Sequence, residues 1–251
     1  MTDGEILHIA LEQSAIDCGC SASDFLSPAN TVVVSRADPR ARRYLELPFD
    51  CDLTCYGNGI VASVAGPLTE PVRGYIDRYP AEHCFETPNL LVLADLLAPF
   101  GLRVCFMAEY FLPRADLRPL SCGLATRFLT PSDFAGLYLP QWSNALCEKR
   151  RELDVLAVGA YDGDTLVGLA GCSADCEGMW QIGIDVLPAY RRTGIASARR
   201  VCSRSACWSW GKFLSTAARG RMSNPRATPS AAGSVRRGCS LRPSLKRSSG
   251  Q

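Results

Sequence analysis

Seven consecutive residues, Arg191-Arg192-Thr193-Gly194-Ile195-Ala196-Ser197, carry the chemistry that stands out most clearly in this chain. Two guanidinium groups followed by alternating small residues read as a basic loop that runs into the first turn of a helix. That turn leaves backbone N–H groups without intrahelical acceptors, and the helix dipole puts partial positive charge beside them. Such a place binds anions, phosphate above all. Gly194 and Ala196 let a diphosphate approach the backbone closely, and Arg191 and Arg192 add charge-assisted donors. The alternative for the two arginines is a solvated charge pair at a loop.

A cradle of this kind must be held by its neighbours. Met179 to Val186 alternates as a strand and stops before Pro188, which predicts strand, loop, helix in that order. Upstream, Leu153–Tyr161 and Thr165–Cys172 read as strands joined at Asp162-Gly163-Asp164. There Asp-Gly supplies the positive φ angles of a type I′ hairpin turn. Ala125–Leu129 is a further short strand. Thr130 or Ser132 is the N-cap candidate of a helix expected to run to about Arg151, with a break near Pro140.

Arg191-x-x-Gly194-x-Ala196, preceded by Val186-x-Pro188, resembles the acyl-CoA pyrophosphate loop of the GNAT superfamily of N-acetyltransferases, whose consensus is Gln/Arg-x-x-Gly-x-Gly/Ala. The order of elements extends the resemblance over roughly residues 124–197. It implies a mixed α/β (α+β) GNAT-like sheet with flanking helices. It also implies acetyl-CoA as co-substrate and transfer of its acetyl group to a primary amine. The N–H groups of Arg192, Thr193, Gly194, Ile195 and Ala196 would hold the pyrophosphate, with Ser197 adding a hydroxyl or another N–H. The backbone of Val186 would pair with the pantetheine arm or polarise the thioester carbonyl. The position at which the family often carries a glutamate holds Trp180 or Gln181 here, and Asp185 and Glu177 are the nearest carboxylates. Asp185 and Gln181 are therefore the catalytic candidates, although capping or ion pairing is the stronger expectation for Asp185.

Residues 1–120 are expected to form a separate small α+β domain, serving as substrate-side scaffold or as a homodimer surface. Helices are predicted over Ile6–Ile16, Pro71–Arg78 and Asn89–Pro99. Strands are predicted at Thr31–Arg36, Asp52–Tyr56, Ile60–Val64 and Arg103–Phe111, with Leu112–Pro119 as linker. The chain is 47% hydrophobic and 21% charged, enough for a real core, and no apolar run approaches the ~18 residues of a membrane span. Thirteen cysteines, an odd number in a long chain with an acidic start, read as reduced buried thiols in a cytoplasmic protein. There is no Cys-x-x-Cys pair, and His8 and His83 are the two histidines, so no metal site is expected.

The net charge of +2 hides an asymmetry. Residues 1–197 hold 15 Lys+Arg against 25 Asp+Glu, whereas residues 198–251 hold 12 Lys+Arg and no acid. One reading is a basic arm for nucleic acid. The tail lacks periodicity and mostly lacks aromatics, and it begins inside the first turn of the predicted helix. A change of reading frame near Ala198 accounts for all three features. Read one base earlier with synonymous codons free, Gly211 to Asn224 permits GKVPFYCSAWSNV, a strand-like text followed by the family's next asparagine. On this reading 198–251 is a coil and the sheet is incomplete at its C-terminal end. The tyrosine that protonates the leaving thiolate in many relatives is then absent. A transferase so truncated would be weak or inactive, and a non-catalytic acyl-CoA-binding or assembly protein of the same fold is the alternative.

Overall fold

The computed structural model describes residues 1–116, 123–193, 195, 213–219 and 234–243. In chain order the elements are α1 (Asp3–Cys18), β1 (Thr31–Val34), β2 (Cys51–Cys55), β3 (Ile60–Val64), α2 (Thr69–Ile76), α3 (Asn89–Leu97) and β4 (Val104–Pro113), then β5 (Ala125–Leu129), β6 (Asp154–Asp162), β7 (Thr165–Ser173), β8 (Met179–Val186), β9 (Phe213–Arg219) and β10 (Ser234–Pro243). They fall into two compact units, one built on His8–Tyr110 and the other on Phe111–Ala217 with Met1–Leu7. The division lies inside β4 rather than in the linker expected after it. Among the described residues no helix is long and apolar enough to cross a membrane.

In the first unit β3 pairs with β1 in parallel and with β2 antiparallel, and β10 adds to β2. Every residue of β2 and β3 is buried, so the sheet is covered on both faces at these two strands. Leu53, Ile60, Ala62 and Val64 meet Val72 and Ile76 of α2 and Leu93 and Leu97 of α3 in one core. The loop after β1 is tied to α1 by a buried ion pair. Asp17 accepts from Arg42 Nη1 at 2.6 Å and from the Arg42 main-chain N–H at 3.0 Å.

The second unit is an antiparallel run β5-β6-β7-β8, with β9 parallel to β8. The β6–β7 hairpin closes with Asp162 opposite Thr165, which leaves Gly163 and Asp164 as its two central residues. Gly163 takes φ 58° and is the one of the two at positive φ. That is the type II′ pattern, not the I′ expected, because glycine occupies the first central position.

A second difference lies between β5 and β6. The helix expected over 130–151 is replaced by turns, with short 3-10 segments at Pro140–Trp142 and Glu148–Leu153. It starts like a helix, with Asp133 Oδ2 accepting from the N–H of Thr130 at 2.8 Å, and goes no further. The N–H groups that an i→i−4 ladder would need are bound elsewhere. Asn144 and Ala145 donate to Asp185, and Cys147 donates to Asp154. Gly136 and Pro140 weaken the helix further.

The segment lies flat because the sheet beneath it has no side chains there. Gly171 and Gly183 are direct cross-strand partners. A Cβ on Gly183 would overlap the carbonyl oxygen of Asn144, and one on Gly171 would overlap that of Ala145. Strand glycines of this kind mark a close approach of backbone to backbone. Phe134, Trp142, Ala145 and Leu146 then pack with Leu129, Ala157 and Leu169, while a separate cluster gathers Leu156, Ala170, Cys172, Trp180 and Ile182.

Asp154, 3% exposed, gives this unit a pH dependence. Burial pushes its carboxyl up to about 6, against hydrogen bonds from Cys147 and Tyr138 that pull it down. A pKa raised by folding stabilises the native state below the unfolded value and costs stability as pH rises through the folded value. Stability should therefore fall by about 2–3 kcal/mol between pH 4 and pH 7 on account of this group. Asp38, held down to about 2 chiefly by its side-chain hydrogen bond with Arg40, titrates below that window. Urea midpoints across the range should slope downward in the native chain and run flatter in Asp154→Asn; parallel slopes would refute the assignment.

The segment read as coil contributes two strands, which corrects that expectation. Main-chain pairing does not depend on side-chain composition, and β8 would otherwise leave an open edge for the tail to cover. The cover is partial: β9 pairs with β8 over Met179–Gln181 alone. The residues around Ala198 lie outside the described residues.

Candidate functional site

The partial ladder opens one edge of β8. Met179, Trp180 and Gln181 face Phe213, Leu214 and Ser215, and beyond them Ile182–Val186 has no β9 partner. On the other side β8 stays paired to β7 as far as Val186, opposite Gly168. Strand alternation turns the main-chain N–H and C=O groups of Ile182, Ile184 and Val186 toward this edge, where they meet no strand among the described residues, a shape suited to an extended chain that carries amides of its own.

The open edge leads into the basic loop. Leu187 N–H donates to Val167 at 3.0 Å, and Tyr190 N–H closes a turn on Leu187 at 2.9 Å. The Tyr190 hydroxyl reaches back to Asp162 of the β6–β7 hairpin at 2.8 Å, which pins the loop to the sheet. Thr193 Oγ1 donates to the Tyr190 carbonyl at 2.6 Å. Arg191 Nε donates to the carbonyl of Val186 at 3.2 Å, so its guanidinium sits where the strand ends.

Arg192 stands at φ 68°, the one non-glycine at positive φ among the described residues. This conformation costs an ordinary side chain of the order of 1 kcal/mol. Arg191, Arg192 and Thr193 are all exposed, and the main-chain N–H groups of Arg192 and Thr193 have no partner among the described residues. Ile195 is helical and 2% exposed, packed on Ala160 and Val167. It comes so close to the sheet that a Cβ on Gly168 would lie 2.6 Å from its Cγ2. Gly168 therefore sets how near the helix start lies to β7. Gly194, Ala196 and Ser197, also expected in the cradle, lie outside the described residues.

The two catalytic candidates are on one face of β8. Asp185 Oδ2 accepts from the N–H groups of Asn144 at 2.8 Å and Ala145 at 2.9 Å, and Oδ1 accepts from Asn144 Nδ2 at 2.7 Å. Three donors on one carboxylate make Asp185 the anchor of the 143–146 loop, the capping role favoured for it over proton abstraction. Asp185→Ala should cost about 2–4 kcal/mol in a denaturant titration, because it leaves loop N–H groups without an acceptor. Asp185→Asn keeps one acceptor oxygen and should cost less; equal losses would contradict the anchoring role. Gln181 is half-buried and stands at the last rung of the β8–β9 ladder. Glu177, the other carboxylate near β8, lies in the exposed loop before it.

Sequence reasoning missed Asn144, Gly168, Gly171 and Gly183. The glycines carried a usable signal, since three of them interrupt apolar strands where glycine is unfavourable. Asn144 carried none, because its role comes from a hydrogen bond to a residue 41 positions away. Among the described residues no group of three His, Cys, Asp or Glu side chains could hold a metal ion.

No protein-family model and no curated protein sequence matches the chain. Solved structures do. A GCN5-related N-acetyltransferase from Kribbella flavida is 13% identical, covers 73% of this chain and 79% of its own, and aligns with a TM-score of 0.48. A GCN5-related N-acetyltransferase from Sphaerobacter thermophilus is 16% identical, with 73% and 71% covered and a TM-score of 0.45. A GNAT family acetyltransferase from Brucella melitensis, solved in complex with acetyl-CoA, is 18% identical, with 37% and 73% covered and a TM-score of 0.29.

Proposed function

We propose that the chain transfers an acetyl group from acetyl-CoA to a primary amine. The observation that carries this reading is the continuity of the β8 edge at Ile182–Val186, unpaired by β9, with a basic loop whose N–H groups at Arg192 and Thr193 have no partner among the described residues. Coenzyme A has the matching parts in the matching order, an extended arm with two amides and then a diphosphate. Pantetheine would lie along the edge as an added strand. The diphosphate would accept from the loop amides beside Arg191 and Arg192.

The chemistry then needs little else from the chain. Fixing the thioester against a bound amine removes most of the entropic barrier to their reaction. A main-chain N–H of the open edge, Val186 among the candidates, would donate to the thioester oxygen as it becomes an oxyanion. The amine must attack without its extra proton, and Asp185 is already engaged by the 143–146 loop. That engagement favours a second reading, an acyl-CoA-binding protein that does not catalyse. A reducing compartment such as the cytoplasm suits either reading, given unbridged thiols such as Cys18 and Cys51.

Binding and transfer separate the two readings. At 100 times its dissociation constant acetyl-CoA should stabilise the chain by about 2.7 kcal/mol, a rise of roughly 5–10 °C in melting temperature. Acetylated product from an amine panel, followed by mass spectrometry, would then establish catalysis. A melting temperature unmoved by millimolar acetyl-CoA would refute both readings; a shift without product would leave the binding protein.

A further inference from the structure

We infer that the buried acid pair Asp154 and Asp175, reached through the hydroxyl of Ser173, takes up the proton that the acceptor amine must lose. The inference rests on the transferase reading above and supplies the proton acceptor that Asp185 does not.

The geometry is a row across the sheet. Asp154 of β6 is the cross-strand partner of Ser173 of β7, and Ser173 is the partner of Gln181 of β8. Gln181 in turn pairs with Ser215 on the last rung before the β8 edge opens. Directly opposed residues share a face, with neighbouring strands about 5 Å apart, so Ser173 is one strand from the slot and Asp154 two. Ser173 Oγ donates to Asp175 Oδ1 at 3.1 Å. Its lone pairs can therefore accept a hydrogen bond from the slot side while its own proton points at a carboxylate, the arrangement a relay needs.

Both carboxylates are buried, Asp154 at 3% exposure and Asp175 at 2%. Asp154 Oδ2 accepts from Cys147 N–H at 2.8 Å. The charged and titratable groups facing Asp154 are Asp175, which opposes its ionisation, Arg150, which favours it, and Tyr138, which is hydrogen-bonded to it. Cys147 and Arg151 stand beside Tyr138, with the Arg151 guanidinium 4.3 Å from the centre of its ring. Burial holds the Tyr138 hydroxyl at about 12, so it remains a donor and does not compete for the proton. The same cause holds Asp154 at about 6, basic enough to accept a proton and ionised at neutral pH.

The steps balance. An N–H bond of the ammonium breaks, the proton passes by way of water to Ser173 Oγ as Ser173 gives its own proton to Asp175, and an O–H bond forms on Asp175, whose proton uptake the neighbouring Asp154 charge favours. The freed lone pair attacks the thioester carbon. The C–S bond then breaks, sulfur keeps the electron pair, and the second nitrogen proton goes to the thiolate. The acid pair returns its proton to water.

The test is the pH profile of acetyl transfer by the full chain between pH 5 and pH 9. The native chain should gain rate through an inflection near pH 6. Asp154→Asn and Asp175→Asn should displace or abolish that inflection and lower kcat about 100-fold, with KM for acetyl-CoA unchanged. Ser173→Ala, which leaves both carboxylates and the packing in place, should lower kcat to a similar extent, and Ser173→Thr should restore it. Transfer with an unshifted inflection in Ser173→Ala and in whichever aspartate variant folds would overturn the relay and leave the transferase standing. No transfer by the native chain at any pH would overturn both.

Discussion

Gly183→Ala should cost about 3–5 kcal/mol of stability, one of the largest losses open to a single methyl group in this fold. The reason is geometric. The new Cβ would overlap the carbonyl oxygen of Asn144, a main-chain atom that cannot swing aside as a side-chain tip would. Asn144 is fixed from the other side as well, by its N–H and its amide on Asp185. Either β8 moves away from the loop, which breaks its ladder with β7, or the loop lifts and three hydrogen bonds to Asp185 are lost. The matched control is Gly74→Ala. Gly74 is exposed in α2, a Cβ there meets nothing within 4 Å, and alanine is the better helix former, so stability should rise by about 0.5–1 kcal/mol. Denaturant midpoints of the two variants should move in opposite directions. A Gly183→Ala midpoint within experimental error of the native chain would show that the loop does not sit on the glycine pair.

The same pair of glycines shows what could and could not be read from the chain. Strands and hairpins were legible because their signals are local. Met179–Val186 was marked by its alternation and the proline after it, and β6–β7 by a turn whose position was right even though its type was not. The 130–151 segment was misread because it carries a helix start, Thr130 with Asp133, and its true constraints are distant in sequence. Asp185 accepts from the N–H groups of Asn144 and Ala145, and the missing side chains of Gly183 and Gly171 leave room for their carbonyls. Local propensity lost to these partners, a common outcome where a helix signal is short. The candidate site divides in the same way. The basic loop declared itself through Arg191-Arg192-Thr193-Gly194. The open edge that makes it useful depends on where β9 stops pairing, and the composition of the tail pointed away from any strand there. Ser173 and Asp154 became a unit only through register, since 19 positions separate them.

Arg192→Gly should raise stability and lower coenzyme affinity at once. Arg192 is held at φ 68°, where a side chain costs about 1 kcal/mol and glycine costs nothing sterically. Part of that gain is offset by the greater freedom of glycine in the unfolded chain, so a net rise of roughly 0.5 kcal/mol is expected. The Arg192 side chain is exposed and has no partner among the described residues, so the fold loses no contact with it. On the proposed reading acetyl-CoA would lose a cation beside its diphosphate, and one charge-assisted contact of this kind is worth about 1.4 kcal/mol or more, a factor of ten or more in Kd. Arg192→Lys separates charge from geometry: it keeps the positive φ penalty, so stability should stay at the native level, and it should recover most of the affinity. Because the interaction is ionic and exposed, the native Kd should weaken with salt more steeply than that of the glycine variant. A strained conformation that the fold would do better without fits a functional role for Arg192, and on the proposed reading the diphosphate is the ligand that would use it. Calorimetric titration with acetyl-CoA beside thermal melts checks both signs. Unchanged affinity in Arg192→Gly would remove Arg192 from the coenzyme site, and a fall in melting temperature would mean that the loop needs the arginine for its own structure.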